Sequence, residues 1–183
     1  LIEKGEVWIN GTLATMGTKV MPGDTVMVHH TTITPCQKEY LLAFHKPAGI
    51  VCTTSKIDKN NVIDYLNFPE RIYPVGRLDK ESTGLLLLTN NGQLMDDVLR
   101  GSNYHEKEYI VHVNKPITDS VLQAMAQGVP ILDTITRPCK IRRMGKDCFY
   151  ITLTQGLNRQ IRRMCEYFDY RVTSLKRIRI MNI

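Results

Sequence analysis

Four consecutive leucines at residues 85–88 constrain the fold of this chain more than any other feature of its sequence. They follow directly on a polar loop, residues 76–84, that begins and ends with glycine. Four apolar residues are far too few to span a bilayer, which takes about 18 or more. The run fits a short buried strand, so the sequence predicts a polar loop that leads straight into the hydrophobic core.

The alternation of strand-like and helix-like segments along the chain predicts the α+β class. We expect strands at residues 41–45, 85–89, 108–113, 139–143, 149–154 and 172–180. We expect helices at residues 62–67, 93–100, 119–127 and 159–168. Gly101 and Gly128 are the expected ends of the second and third helices. This pattern indicates a mixed, mainly antiparallel β-sheet flanked by short helices.

The first 30 residues have the turn signals of a separate small module. Gly5 closes what looks like the last turn of a helix, Asn10-Gly11 predicts a tight turn after a strand at 7–10, and Pro22-Gly23-Asp24 precedes a strand at 25–28. This order resembles the second half of the S4 RNA-binding module. We therefore expect a partial S4-like module at 1–30 without its N-terminal helical half, a linker at 31–38, and a second domain at 39–183 that is also cut short.

Basic residues are concentrated at the C-terminal end of the chain. The net charge is +6, and residues 136–183 contain 12 Lys and Arg against 3 Asp and Glu, whereas residues 1–135 contain 12 against 15. Lys and Arg side chains that meet phosphates release counterions and so gain affinity without reading sequence. The asymmetry favours a nucleic-acid partner, with a solvated basic face as the alternative.

Several chemical classes are disfavoured by what the motifs lack. The five cysteines form no C-x-x-C pair, and the segment from His105 to Tyr109 has tyrosine where a zinc-binding helix would need its second histidine. There is no phosphate-binding P-loop and no signal peptide. We therefore expect reduced thiols, no metal, no cofactor and no membrane span, in a cytoplasmic monomer.

Asp79 is the first candidate for chemistry. It lies in the glycine-bounded loop before the leucine strand, where a carboxylate is held rigidly and partly shielded from water. Such a carboxylate can act as a nucleophile or as a base. The simpler alternative is a loop salt bridge between Asp79 and Arg77 or Lys80.

Two further segments place polar side chains against apolar structure. Tyr109, at the start of a strand, offers a flat ring for base stacking, although core packing explains it equally well. In the helix at 159–168, Arg162 follows Ile161 of the apolar face and could point inward. A buried arginine needs an anionic partner, because leaving it unpaired costs roughly 3–5 kcal/mol.

Taken together, these segments resemble the RNA pseudouridine synthases, in the ribosomal branch that carries an S4 module. The matching motifs occur in family order: His45-Lys46-Pro47-Ala48-Gly49, Gly76-Arg77-Leu78-Asp79 with Thr83-Gly84-Leu85-Leu86, Lys107-Glu108-Tyr109, and Gly156 to Met164. Their spelling is similar to the large-subunit rRNA pseudouridine synthase F subgroup. Arg159 stands where many relatives have histidine.

The resemblance implies that a uridine, in 23S ribosomal RNA or in tRNA, is isomerised to pseudouridine without a cofactor. Asp79 would be the essential carboxylate, acting as nucleophile or as base through a glycal, with Arg162 as its partner and Tyr109 stacked on the uracil. Candidate RNA-binding residues are Arg77, Lys80, Lys46, Lys107, Arg159, Gln160 and Arg163. The alternatives are a non-catalytic S4-type RNA-binding protein acting in ribosome assembly, and a hydrolase that would need Glu81 as a second carboxylate.

Overall fold

The computed structural model describes residues 1–34, 38–55, 57–100 and 104–183. The chain forms two compact units, residues 1–39 and 40–183. The expected helix end at Gly101 lies outside the described residues. None of the helices in the described part of the chain is long and apolar enough to cross a membrane.

The first unit is a short helical turn followed by a four-stranded antiparallel sheet. The 3-10 helix Ile2–Lys4 ends at Gly5 in the left-handed conformation, with φ of 68°. The strands are β1 (Val7–Ile9), β2 (Thr12–Leu13), β3 (Val26–Val28) and β4 (Thr31–Ile33), in the order β2-β1-β3-β4. Asn10 and Gly11 form the predicted turn between β1 and β2, and both have positive φ.

The start of the predicted linker is wrong. Residues 31–38 were expected to be a linker, but Thr31–Ile33 forms β4 and pairs antiparallel with β3. His29 and His30 make the connection with φ of 47° and 62°, the left-handed conformation of a two-residue hairpin turn. The polar composition of this segment suggested a linker. Thr and Ile are nevertheless β-branched, and such residues suit an exposed strand as well as a buried one.

The second unit contains nine strands and four helices in its described residues. The strands are β5 (Leu41–Lys46), β6 (Tyr73–Val75), β7 (Thr83–Thr89), β8 (Lys107–Val113), β9 (Pro130–Ile131), β10 (Thr134–Ile135), β11 (Lys140–Arg143), β12 (Cys148–Leu153) and β13 (Val172–Ile180). The helices are α1 (Val62–Leu66), α2 (Gly92–Leu99), α3 (Asp119–Gln127) and α4 (Gln160–Tyr167).

A seven-stranded mixed sheet organises this unit. Its order is β11-β12-β8-β13-β7-β5, with β6 also paired to β7. Within it the β13–β7 pair is parallel and the other pairs are antiparallel. The α+β class with a mainly antiparallel sheet is therefore confirmed. The sequence missed β6, which contains Pro74, and the hairpin of β9 and β10, whose strands have two residues each.

The leucine run forms most of β7, as expected, and it is buried on both faces. Leu86 and Leu88 pack with Val62 of α1, whereas Leu87 packs with Val98 of α2 on the opposite face. A strand buried on both sides has side chains that cannot move far. The loop that enters it, residues 76–82, is therefore attached to a strand that is tightly packed on both faces.

Candidate active site

A basic cleft opens beside the N-terminal end of β7. Its volume is about 730 Å³, and all of its described lining residues belong to the second unit. Six described Lys or Arg side chains line it: Arg77, Lys80, Arg100, Lys107, Arg159 and Arg177. Two carboxylates, Asp79 and Glu81, also line it. A cleft with this excess of positive charge is suited to a polyanionic ligand.

The strand register brings three distant parts of the chain together at this cleft. Arg177 of β13 lies opposite Gly84 on one side and opposite Tyr109 of β8 on the other. Because Gly84 is the last residue of the polar segment 76–84, this row places the end of that segment across one strand, β13, from Tyr109. The two motifs are separated in sequence but become neighbours through β13.

Gly84 is required for this close approach. Its φ is +101°, and a Cβ atom added there would overlap the carbonyl oxygen of Arg177 and lie 2.8 Å from the Arg177 nitrogen. Backbone atoms of a paired strand cannot yield in the way that the end of a flexible side chain can. The position therefore accepts only glycine.

Asp79 is held by two arginines from one end of α4. Arg162 Nε lies 3.4 Å from Asp79 Oδ2, and Arg159 Nη1 lies 3.8 Å from the same oxygen. Arg162 Nη2 also donates to the Ser82 hydroxyl at 3.1 Å. The salt bridge between Asp79 and Arg77 or Lys80, considered from the sequence, is not among the ion pairs of the described residues.

Arg162 faces inward, as its position on the predicted helix allowed. Ile161, Met164 and Cys165 of α4 are buried in the core, and the Arg162 side chain is only 10% exposed. The Asp79 side chain is 28% exposed, so its carboxylate remains open to the cleft while its partner is covered. This arrangement fixes the rotamer of Asp79 and leaves one side of it accessible to a ligand.

We expect Arg162→Ala to inactivate and destabilise the protein. The change removes the donors to Asp79 and Ser82 and should lower the free energy of unfolding by about 1–3 kcal/mol. Arg162→Lys, which keeps the charge but loses the two-point geometry, should be intermediate in both respects. Thermal melting and turnover measured on the same preparations would check this. A fully stable but inactive Arg162→Ala protein would instead place Arg162 against the substrate.

Lys46 does not lie where an RNA-binding residue should. It is completely buried, and its ammonium donates to the carbonyl oxygens of Pro47, Lys80 and Ser82 at 2.8, 3.2 and 2.8 Å. All three donors are therefore used within the protein. Burial lowers the pKa of Lys46, and the negative charges of Glu81 and Asp79 are among the groups that oppose this shift. Lys46 holds the Asp79 loop instead of binding a phosphate.

We expect Lys46→Met to destabilise the protein and to reduce turnover. Methionine fills similar space but leaves three carbonyl oxygens without their donor, at about 1–3 kcal/mol for each buried group. Lys140→Met is the matched control, since the Lys140 side chain is 82% exposed and should shift stability by no more than about 0.5 kcal/mol. Thermal melting of the two variants provides the measurement. Equal melting temperatures would contradict the structural role given to Lys46.

Gln160 was also expected to bind RNA, and it belongs to the wall of the cleft. Its side chain is buried, and its Oε1 accepts a hydrogen bond from the backbone nitrogen of Leu157 at 3.0 Å. It thus closes the loop that precedes α4. Little of the Gln160 side chain is therefore accessible to a ligand in the cleft.

The remaining predicted RNA-binding side chains divide into two groups. Arg77, Lys80 and Arg159 are exposed and line the cleft. Arg159 also lies 3.5 Å from Glu81, whose pKa is lowered by a backbone hydrogen bond and by this arginine. Arg163 is outside the cleft lining and donates to the Asn158 carbonyl oxygen at 3.1 Å. The first group is therefore directly available for a ligand in the cleft, whereas Arg163 is not.

Tyr109 and Lys107 both line the cleft from β8. Tyr109 is partly buried and packs against two of the hydrophobic clusters of this unit, while it also lines the cleft. Lys107 is partly buried, and burial together with the charge of Arg177 lowers its pKa. Both residues therefore line the same cleft as the Asp79 loop.

Sequence reasoning missed Ser82 and Arg177. Ser82 is buried, and it receives Arg162 on its hydroxyl and Lys46 on its carbonyl. Arg177 is 3% exposed and lies on the same face of β13 as the buried Leu175. That signal was present in the sequence, because residues 175 and 177 share a face in any strand and a charge there is unusual.

One group of metal-binding residue types occurs away from the cleft. Side-chain ligand atoms of His112, Asp147 and Cys148 lie within 4.8 Å of one another. Such a set can bind a transition metal ion, but Asp147 is exposed and none of the three lines the cleft. The grouping has no direct connection to Asp79.

Comparisons with known proteins agree on one family. A profile of the RNA pseudouridylate synthases matches residues 40–167. The dual-specificity RNA pseudouridine synthase RluF of Escherichia coli strain K12 is 51% identical over 184 residues, which cover 100% of this chain and 63% of that protein. The ribosomal large subunit pseudouridine synthase B of Bacillus subtilis is 33% identical, with 97% of this chain and 76% of that protein covered.

A solved structure agrees with these sequence matches. The crystal structure of a pseudouridylate synthase superimposes with a TM-score of 0.76 and 26% identity, covering 100% of this chain and 80% of that one. The chain spans about 63% of the length of the RluF proteins that it matches. The similarity therefore covers the whole of this chain but only part of each RluF protein.

Proposed function

Because this chain belongs to the RNA pseudouridylate synthase family, we propose that it isomerises a uridine in structured RNA to pseudouridine. The observation that carries the proposal is the carboxylate of Asp79, which lies open to a basic cleft while the buried Arg162 holds it from behind. A rigid carboxylate next to bound RNA is what this chemistry requires, and no external water or electron donor takes part in it.

In the proposed reaction, the bond between ribose C1′ and uracil N1 breaks, and a bond between C1′ and C5 forms. Asp79 either attacks C1′ and is displaced when C5 bonds, or removes a ribose proton and returns it after a glycal intermediate. In both routes the C5 proton is lost to solvent and N1 gains one, so the product is an isomer. Arg162 serves as a positioning residue, since it fixes the rotamer of Asp79.

Tyr109 is the proposed stacking surface for the uracil. Its ring lies in the cleft wall on β8, and strand pairing places it across β13 from the end of the Asp79 loop. A base that has left its helix needs such an apolar face to replace the stacking it gave up. Arg77, Lys80 and Arg159 are the exposed cations that would hold the flanking backbone.

We take large-subunit ribosomal RNA as the first substrate to test, with tRNA as the second. The names of two relatives support this order. The E. coli relative is called a dual-specificity RNA pseudouridine synthase, and the B. subtilis relative is called a ribosomal large subunit pseudouridine synthase. We also propose that residues 1–30 form a partial S4-like module that contributes to RNA binding, and that the protein acts as a monomer in the cytoplasm.

Tritium release from RNA labelled at uridine C5 tests the proposed function. Large-subunit rRNA and tRNA transcripts would be incubated with the protein, and released tritium and free uracil would be measured together. Tritium without free uracil is the expected result. Free uracil would identify a hydrolase, with Glu81 as the second carboxylate 3.5 Å from Arg159. RNA binding with neither product would identify the non-catalytic binding protein.

A further inference from the structure

Arg177 has a buried donor that the protein does not use. Its Nε donates to the carbonyl oxygen of Leu85 at 2.7 Å. Its Nη2 is buried and has no hydrogen-bond partner among the described residues. Arg177 nevertheless lines the cleft. An unpaired guanidinium nitrogen at the wall of a ligand cleft is one of the few buried polar groups that the protein leaves unsatisfied, and this requires an explanation.

The neighbouring carboxylates do not neutralise Arg177. Glu106 and Glu108 lie near it in the sheet, but Arg179 donates to both of them at 2.9 Å. Lys140 takes the other oxygen of Glu106 at 2.8 Å. Because alternate residues of a strand point to opposite faces, Glu108 is turned away from the face that Lys107 and Tyr109 share. The carboxylates of Glu106 and Glu108 therefore form their ion pairs with Arg179 and Lys140, away from the cleft.

Lys107 places a second uncompensated charge on the same wall. Its ammonium makes one long hydrogen bond, 3.4 Å, to the carbonyl oxygen of His105. It takes part in no ion pair among the described residues. Lys107 and Arg177 line this cleft from the paired strands β8 and β13, where Arg177 lies opposite Tyr109, two residues along from Lys107. Burial and the charge of Arg177 lower the pKa of Lys107. An anion bound between them would remove both the repulsion and the unpaired donor.

We propose that Lys107 and Arg177 form a subsite for one phosphodiester of the RNA backbone at the target nucleotide. The proposal rests on the function proposed above, and it adds a residue that the family motifs did not identify. Two cations with no acid between them favour a phosphate over a neutral base edge. The subsite is distinct from the exposed Arg77, Lys80 and Arg159, because it lies on the sheet and is reached only by RNA that enters the cleft.

The test compares Lys107→Met with Lys140→Met, which removes the same charge from the opposite face. Binding of each variant would be measured to a large-subunit rRNA stem–loop transcript and to a perfect RNA duplex over a range of salt concentrations. Lys107→Met should bind the stem–loop about tenfold more weakly, with a salt slope smaller by about 0.7–0.9. It should bind the duplex as wild type does, because a paired strand cannot enter the cleft. Lys140→Met should leave stem–loop binding unchanged.

A double-mutant comparison tests whether one phosphate is shared. Arg177→Lys keeps the charge but loses the two-point geometry, so it should weaken stem–loop binding several-fold in the wild-type background and clearly less in the Lys107→Met background. Additive effects would overturn the shared subsite. Thermal melting establishes that Arg177→Lys is folded, and Lys107→Met alone tests the subsite if it is not.

Two outcomes for Lys107→Met would overturn the proposal. Unchanged stem–loop binding would mean that Lys107 meets no phosphate, and an equal loss on stem–loop and duplex would make it an ordinary surface charge. These failures are separate from failure of the proposed function. If the wild-type protein releases tritium and Lys107→Met binds the stem–loop like wild type, the proposed function stands and the proposed subsite is wrong. If the wild-type protein releases no tritium but Lys107→Met weakens stem–loop binding, the proposed function is wrong and the proposed subsite stands.

Discussion

Asp79→Asn is expected to lower turnover by about four orders of magnitude or more while leaving RNA affinity within a few fold of wild type. The amide keeps the size of the carboxylate and can still accept a hydrogen bond from Arg162, so the loop should retain its conformation. It can neither attack C1′ nor remove a ribose proton at a useful rate. Affinity should stay level or rise slightly, because one negative charge leaves a cleft that faces phosphates.

Glu81→Gln is the matched control for Asp79→Asn. Glu81 lies in the same cleft and shares Arg159 with Asp79, so both variants remove one negative charge from one electrostatic environment. The Glu81 side chain is 62% exposed, and its loss should change turnover only a few fold. Tritium release and filter binding on both variants provide the measurement. If Glu81→Gln is as inactive as Asp79→Asn, a two-carboxylate mechanism replaces the one proposed here.

Gly84→Ala is expected to lower the free energy of unfolding by about 4 kcal/mol or more, and the melting temperature by about 10 °C. The added Cβ would overlap the backbone of Arg177, which is paired with Gly84 in the parallel part of the sheet. The strands β7 and β13 would have to separate at that point. The φ of +101° adds strain for any residue with a side chain. Arg177 and the Asp79 loop would move together, so turnover should fall as well.

Gly92→Ala provides the comparison for this effect. Gly92 is the first residue of α2, has no neighbour within 4 Å of an added Cβ, and lies at a position where alanine favours the helix. The free energy of unfolding of Gly92→Ala should remain within about 0.5 kcal/mol of that of wild type, or increase. Thermal and urea melting of both variants would separate the close approach from the general effect of removing a glycine. If Gly84→Ala melts at the same temperature as wild type, β7 and β13 can separate at this point without a loss of free energy of unfolding.

The family, and the position of Asp79 in a loop before the leucine strand, could be predicted from the sequence because both depend on local patterns. The spacing of apolar residues identified six of the nine strands of the second unit and its four helices. The motif around Asp79 and the position of Arg162 on α4 are also local, and the family that they indicated is confirmed by the comparisons. The two-residue strands and Pro74 of β6 gave too weak a periodic signal to be recognised.

Two of the expected RNA-binding side chains, Lys46 and Gln160, instead have hydrogen-bond partners within the protein. Lys46 follows a strand and precedes a proline, which says nothing about the carbonyl oxygens of residues 80 and 82 that receive its ammonium. Gln160 was expected to bind RNA, although its side chain is buried and closes the loop before α4. Whether a cation meets solvent, a phosphate or a backbone carbonyl depends on which strands become neighbours, and sequence periodicity does not specify that pairing.

The sequence by itself determined the class of fold, the buried leucine strand and the carboxylate placed before it, because hydrophobic periodicity and glycine position act over a few residues. Only the tertiary structure decided that β13 lies between β7 and β8. That arrangement puts Arg177 beside both Tyr109 and Gly84. Tertiary contacts likewise bring Arg162 of α4 to Asp79 and direct the ammonium of Lys46 to buried carbonyl oxygens. The physical reason is that strand order follows from the packing of the whole core, to which residues more than 80 positions apart contribute together.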